Sequence, residues 1–207
     1  MNPSLMRLDQ KTLEEGVVYL TGVDPDLAKV IRDFGKPPLW PRQPGFPTLV
    51  HIILEQQVSL ASANAAFKKL TDSVDQVTPK HFIEFSDENL KGFGFSRQKA
   101  RYCRLLSEAI ISGDFNFEEL NQMDDSSARN KLIELKGIGP WTANIYLLMA
   151  LLRPDIWPPG DLALAKAMQA VKNLPEVPDN ETQQKIAAQW KPWRAVGARI
   201  LWHYYLS

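Results

Sequence analysis

Three stretches of this 207-residue chain combine residue types and spacings that could do chemistry. The first is Leu135-Lys136-Gly137-Ile138-Gly139-Pro140-Trp141-Thr142-Ala143-Asn144. Two glycines without Cβ atoms let backbone N–H groups approach another molecule closely. The helix that Pro140 can open would aim its positive end the same way. Together these make an anion site built of backbone, suited to a phosphate. Lys136 adds a mobile positive charge, and Ile138 is an apolar pin between the two helices. Read alone, Gly-x-Gly is also an ordinary helix–helix turn with glycine at the C-cap. The second stretch is Trp157-Pro158-Pro159-Gly160-Asp161, which places Asp161 22 residues after Gly139. Asp161 can cap the helix that starts at Leu162. A capping carboxylate is also rigidly held. The third is Glu55-Gln56-Gln57-Val58-Ser59, two amides where a helix gives way to a turn.

The elements that must position these groups read as helices almost throughout. Apolar residues recur at i, i+3 and i+4 over 12–20 and 25–34, and again over 47–57, 60–72, 79–91, 97–112, 116–121 and 126–135. The same spacing continues over 140–152, 161–173, 179–189 and 193–206. Gly22 and Gly35 are the expected stops of the first two, and Asp24, Ser59, Ser96 and Asp161 the expected N-caps. A helix over Pro140–Leu152 would be about 20 Å long. Residues 36–47 carry five prolines and one glycine, a stiff connector rather than a regular element. No alternating strand and no repeat is evident. The expectation is an all-α fold of about ten helices.

Composition narrows the function classes. There are 24 Lys+Arg against 24 Asp+Glu, 44% apolar residues and one cysteine. This excludes a polycation and a disordered chain, and a disulfide scaffold or a Cys-ligated zinc or iron–sulfur cluster built from this chain. Met1–Thr12 lacks the apolar core of a signal peptide, and the longest apolar run, Ile145–Leu152, is too short to span a bilayer. The expected location is cytoplasmic, beside the nucleoid in a prokaryote or in the nucleus of a eukaryote. Charge is uneven: residues 91–104 hold five basic side chains and no acid, whereas 108–128 hold six acids and no base. The basic run is either a solvated helix face or a phosphate footprint.

The string from Leu135 to Asn144 resembles the helix-hairpin-helix DNA glycosylase superfamily, and within it the 3-methyladenine DNA glycosylase II (AlkA-like) family. Glu55-Gln56-Gln57-Val58-Ser59, Leu90-Lys91-Gly92-Phe93-Gly94, Pro159-Gly160-Asp161 and Trp190-Lys191-Pro192-Trp193-Arg194 follow the family's order. The likeness covers residues 44–206. Fewer than fifty residues precede it, where larger bacterial members carry a β-rich domain, so the chain is similar to a compact form.

The resemblance implies a monofunctional glycosylase of base excision repair, acting as a monomer on duplex DNA that contains alkylated bases. It would flip out 3-methyladenine or 7-methylguanine, hydrolyse the N-glycosidic bond and leave an abasic site. Asp161 matches the catalytic aspartate. A base alkylated at N3 or N7 is already cationic and departs without an acid, so a buried anionic carboxylate that stabilises the oxocarbenium-like sugar is enough. Trp141 stands where bifunctional members carry a Schiff-base lysine, which implies no lyase activity. Trp141 and Trp202 match pocket tryptophans, and Ile145 replaces a pocket tyrosine. Gly137, Ile138, Gly139, Thr142 and Lys136 would hold DNA. Gln57, with Gln56, would be the wedge that fills the gap left by the flipped base. No cofactor is implied for catalysis. The carbonyls of Ile133, Leu135 and Ile138 would hold a structural monovalent cation, Na or K.

The implied domains are a helical bundle over 44–152 and a C-terminal lobe over 153–207 joined by the N-terminal residues 1–43, with the active site in the cleft between lobes. Two other readings stay open. The same fold could act on uracil, hypoxanthine or an oxidised purine, with Ile145 the residue that leaves this open. A damage-binding protein without catalysis is the other, and the carboxylate at Asp161 argues against it.

Overall fold

A computed structural model gives the structure of residues 6–207. Residues 1–5, part of the leading stretch read above for a signal peptide, lie outside the described residues. The described residues form thirteen helices and no strand. In chain order these are α1 (Gln10–Val23), α2 (Pro25–Phe34), α3 (Phe46–Glu55), α4 (Leu60–Asp72), α5 (Pro79–Glu84), α6 (Asp87–Phe93) and α7 (Arg97–Ser112). Then follow α8 (Phe117–Leu120), α9 (Asp125–Ile133), α10 (Pro140–Met149), α11 (Leu162–Val171), α12 (Asn180–Ala188) and α13 (Arg194–Leu206).

Local side-chain chemistry sets most helix ends. Asp24, Ser59, Ser96 and Asp161 each accept a backbone N–H of the first turn that follows, as expected of N-caps. Three expectations need correction. Gly22 does not stop α1, which runs on to Val23 and begins at a capping box formed by Asp9 and Thr12. The single helix expected over 79–91 is two, because Phe85 is extended and Ser86 starts α6 with its own capping box to Asn89. The helix after Pro140 stops at Met149, ten residues and about 15 Å, and Leu152 turns left-handed at φ 54°.

The chain divides into two compact units, one formed by Arg42–Tyr146 and the other by its two ends, Met1–Pro41 and Leu147–Ser207. In the unit made by the ends, Leu13, Val17 and Leu20 of α1, Leu27 and Val30 of α2, Leu164 and Met168 of α11 and Ile200 and Leu201 of α13 form the core. The α1 backbone lies close to α13: a Cβ on Gly16 would meet Val196 at 2.8 Å and Trp193 at 2.9 Å. Arg199, fully buried on α13, donates to the carbonyls of Leu39 (2.9 Å), Ala195 (3.0 Å) and Leu148 (2.9 Å). It thereby pins the proline-rich connector onto α13.

In the unit of Arg42–Tyr146, α3 is the central helix, with Leu49, Val50, Ile52, Ile53 and Leu54 all buried. Phe46, Phe82, Phe85, Phe93 and Phe95 form a chain of ring contacts around it. Tyr146 is fully buried and its hydroxyl accepts the Gly45 N–H at 2.8 Å. Burial raises the Tyr146 pKa, so the phenol stays neutral.

Candidate active site

The hairpin forms where the sequence places it. Gly137 takes the left-handed conformation, φ 90°, and the Ile138 N–H closes a turn onto the Leu135 carbonyl at 3.0 Å. Ile138 is buried, as the apolar pin should be. The two glycines serve different needs. A Cβ on Gly137 would lie 2.2 Å from the ring of Tyr102, so both conformation and packing require glycine there. Gly139 has no positive φ, and a Cβ on it would meet, among the described residues beyond its chain neighbours, no atom within 4 Å. Its bareness keeps open the space next to the first turn of α10. Lys136 is exposed beside it.

Behind the hairpin stands Gln56. Its amide nitrogen donates to the Gly137 carbonyl at 3.0 Å and to the Thr142 hydroxyl at 2.9 Å. This corrects two expectations. Gln56 turns inward and is not free to enter a duplex. Thr142 is almost fully buried and its hydroxyl accepts from Gln56. Gln57 lies outside helix α3, exposed, with φ 56°. With Gln56 at φ −59°, ψ 121°, this is the dihedral pattern of a type II turn, whose third residue is ordinarily glycine. Holding a side chain there costs about 1–2 kcal/mol.

The turn is clamped from three sides. Glu55 makes a two-pronged ion pair with Arg42, at 2.7 and 3.1 Å. Lys99 donates to the Leu54 carbonyl at 2.7 Å, and burial lowers its pKa. Gln56 supplies the third tie. The basic run is thus partly structural, since Arg104 also serves the fold through the Phe85 carbonyl and Asp87. Lys91, Arg97 and Arg101 are exposed.

In the other unit the structure brings together Asp161 and Trp202. Asp161 Oδ1 accepts the Leu164 N–H at 2.9 Å as the N-cap of α11. The same oxygen accepts the Trp202 indole N–H at 3.3 Å. The carboxylate is only partly buried, against the buried group expected, because a capping residue sits at the mouth of its helix rather than under it. Trp202 is 8% exposed, in the last turns of α13. Trp141 is half-buried on α10, one turn before Ile145. Ile145 is 4% exposed and belongs to the apolar core, so it offers little surface of its own to a base. Trp190 is fully buried and donates to Asp24, which supports a packing role. The three histidines have partners in the fold: His51 with Asn64, His81 with the Gln76 carbonyl and His203 with the Phe34 carbonyl.

Tyr102, Lys99, Arg42 and the brace made by Gln56 join the site only through the fold. The only signal for Gln56 was its place in the Glu-Gln-Gln string, and nothing local pointed to Tyr102.

Residues 50–192 match the HhH-GPD superfamily of base excision DNA repair proteins. DNA-3-methyladenine glycosylase 1 of Schizosaccharomyces pombe is 26% identical over 92% of this chain and 87% of its own length. A putative DNA-3-methyladenine glycosylase of Bacillus subtilis, YfjP, is 29% identical over 74% of this chain, which spans 56% of that protein. Among solved structures, the S. pombe 3-methyladenine DNA glycosylase in complex with abasic DNA superposes with a TM-score of 0.85 at 26% identity, over 91% of this chain and 95% of that one. With the match running through the hairpin, the Gln-Gln turn and Asp161, this chain belongs to the HhH-GPD superfamily of base excision DNA repair proteins.

Proposed function

We propose that this protein is a monofunctional DNA glycosylase that removes alkylated purines, 3-methyladenine and 7-methylguanine, from duplex DNA. The observation that carries the reading is the carboxylate of Asp161, fixed by the α11 N-terminus and by the indole N–H of Trp202. A negative charge and an aromatic ring in contact suit a cationic base on a sugar that becomes cationic as it leaves. Asp161 stabilises the oxocarbenium-like sugar and directs water to it. A tryptophan face attracts an N-methylated purine by roughly 1–2 kcal/mol more than a neutral one once water is excluded. Trp202, in contact with Asp161, supplies such a face. Trp141 has no amine, so no Schiff base forms at that position and the product is an abasic site.

The hairpin holds the DNA backbone through N–H groups around Gly139 and the first turn of α10, with Lys136 adding charge. Gln57 is the wedge, since its exposed amide can fill a vacated stack and hydrogen-bond the orphan base. The protein acts as a monomer, in the nucleoid or nucleus where its substrate lies. Among the described residues no helix is long and apolar enough to cross a membrane.

A structural monovalent cation at the carbonyls of Ile133, Leu135 and Ile138 fits the donor chemistry. These are neutral oxygens, and the Leu135 carbonyl, though it accepts the Ile138 N–H, keeps a second lone pair. Such an ion would add positive charge to the phosphate grip and take no part in bond cleavage.

Base release from methylated duplex DNA tests the reading. The wild type should liberate 3-methyladenine or 7-methylguanine, and Asp161→Asn should lose at least about a hundredfold in rate while still binding DNA. Intact DNA binding without release of either base would instead favour another lesion.

A further inference from the structure

We propose that Gln56 is a positioning residue that ties the wedge to the phosphate grip, so that holding the DNA and opening the stack are one mechanical event. The proposal rests on the reading of the hairpin and Gln57 given above.

The geometry is specific. One amide nitrogen reaches both ends of the hairpin, the Gly137 carbonyl before the turn and the Thr142 hydroxyl in the first turn of α10. These bonds span 81 and 86 residues of sequence. The Gly137–Ile138 peptide is held on both sides, its carbonyl by Gln56 and its N–H by the Leu135 carbonyl. The ring of Tyr102 closes the remaining side, where a Cβ on Gly137 would clash. The same Gln56 is the second residue of the turn whose third residue, Gln57, is left-handed and exposed. The side chain that holds the hairpin and the backbone that starts the turn thus belong to one residue, so a shift of the Gln56 Cα would strain both.

A wedge acts only if the backbone beside it resists the push of the stacked bases. Leu54 and Glu55 are anchored to Lys99 and Arg42, and Gln56 links the turn to the hairpin. Without its two donated bonds, the hairpin could still hold phosphates and Gln57 could still be present, with neither fixed against the other. The predicted defect is selective: extrusion of a paired base suffers, whereas cleavage of a base already unstacked does not.

The test uses single-turnover release of 7-methylguanine placed opposite cytosine and, separately, opposite a mismatched adenine, where less unstacking is needed. Gln56→Met keeps the shape and removes both donors. The expected result is a loss of about tenfold or more with cytosine opposite, a loss under about threefold with adenine opposite, and unchanged binding to undamaged duplex. Thr142→Val should give a smaller loss of the same kind, and no further loss in the Gln56→Met background. Thermal unfolding of each variant identifies any that fail to fold, in which case Thr142→Val alone carries the comparison. Equal losses on both duplexes, or none, would overturn the proposal. If the wild type itself releases no base from methylated DNA, the functional reading fails first, so the two failures are distinct.

Discussion

Asp161 Oδ1 serves two donors, a backbone N–H at 2.9 Å and an indole N–H at 3.3 Å. The two roles of this residue can be separated because capping needs only an oxygen acceptor, whereas stabilising a cationic sugar needs charge. Asparagine caps as well as aspartate, and alanine does not. Asp161→Asn should therefore unfold within about 0.5 kcal/mol of wild type, and Asp161→Ala should lose about 1 kcal/mol, read from urea midpoints. Both should lose at least about a hundredfold in rate. A large destabilisation in the asparagine variant would mean that the negative charge itself holds the fold. The cysteine offers a contrast. Cys103 is fully buried and its thiol pKa is pushed well up by burial, so it is an inert core residue rather than a nucleophile.

The hairpin shows the same separation at the scale of elements. Gly137 is required from inside, by its φ of 90° and by the Tyr102 ring 2.2 Å from where a Cβ would sit. Gly139 faces open space. Gly137→Ala should thus disturb the turn itself, lowering thermal stability along with DNA affinity. Gly139→Ala should cost no more than about 1 kcal/mol of stability, the difference between glycine and alanine at a helix start. Its main effect should fall on DNA affinity, because the added methyl stands where a phosphate would approach the N–H groups. Circular dichroism melts and fluorescence anisotropy with a labelled duplex would separate the two patterns. Equal effects of both substitutions on stability would refute the distinction.

For the molecule as a whole, a long-range tie of consequence is a buried charge node in the unit made by the chain's two ends. Asp24 accepts Lys172 at 2.7 Å on both oxygens and the Trp190 indole at 2.7 Å, and caps α2 as well. It joins positions 148 and 166 residues apart. Burial alone would raise the Asp24 pKa. The Lys172 ammonium, the Trp190 N–H and the Leu27 N–H outweigh it and hold the pKa below the ordinary value. A carboxylate with a depressed folded pKa contributes stability above the unfolded value of about 4 and loses it as pH falls through the folded value. Lys172, whose own pKa is raised by Asp24 and Asp26 against the lowering effect of burial, keeps its contribution until strongly alkaline pH. Unfolding free energy should therefore fall as pH drops below about 4. Asp24→Asn should flatten that fall and cost about 2–3 kcal/mol at neutral pH, less than a fully broken buried pair because Lys172 retains Asp26. Urea titrations between acid and neutral pH would show it, and an unchanged acid slope in the variant would contradict the assignment.

The sequence by itself determined the local features. Capping residues, helical periodicity, the glycine of the hairpin and the proline-rich connector act over one to five residues, and a reader of the chain sees all of them together. Even there, Ser86 divided a helix that periodicity joined, because a capping box outweighs an unbroken apolar stripe. The family strings placed Asp161 and the Gln-Gln turn for the same reason, being short and contiguous. Tertiary structure decided which way each polar side chain turned. Nothing near Gln56 shows that its amide meets residues 81 and 86 positions on, and nothing near Asp161 shows that its partner is Trp202, 41 positions on. Lys99 and Arg104 look like their exposed neighbours in the basic run, yet backbone carbonyls of other segments claim both. Hydrogen bonds depend on distances of tenths of an ångström between segments remote in sequence, and only the packed core fixes those distances.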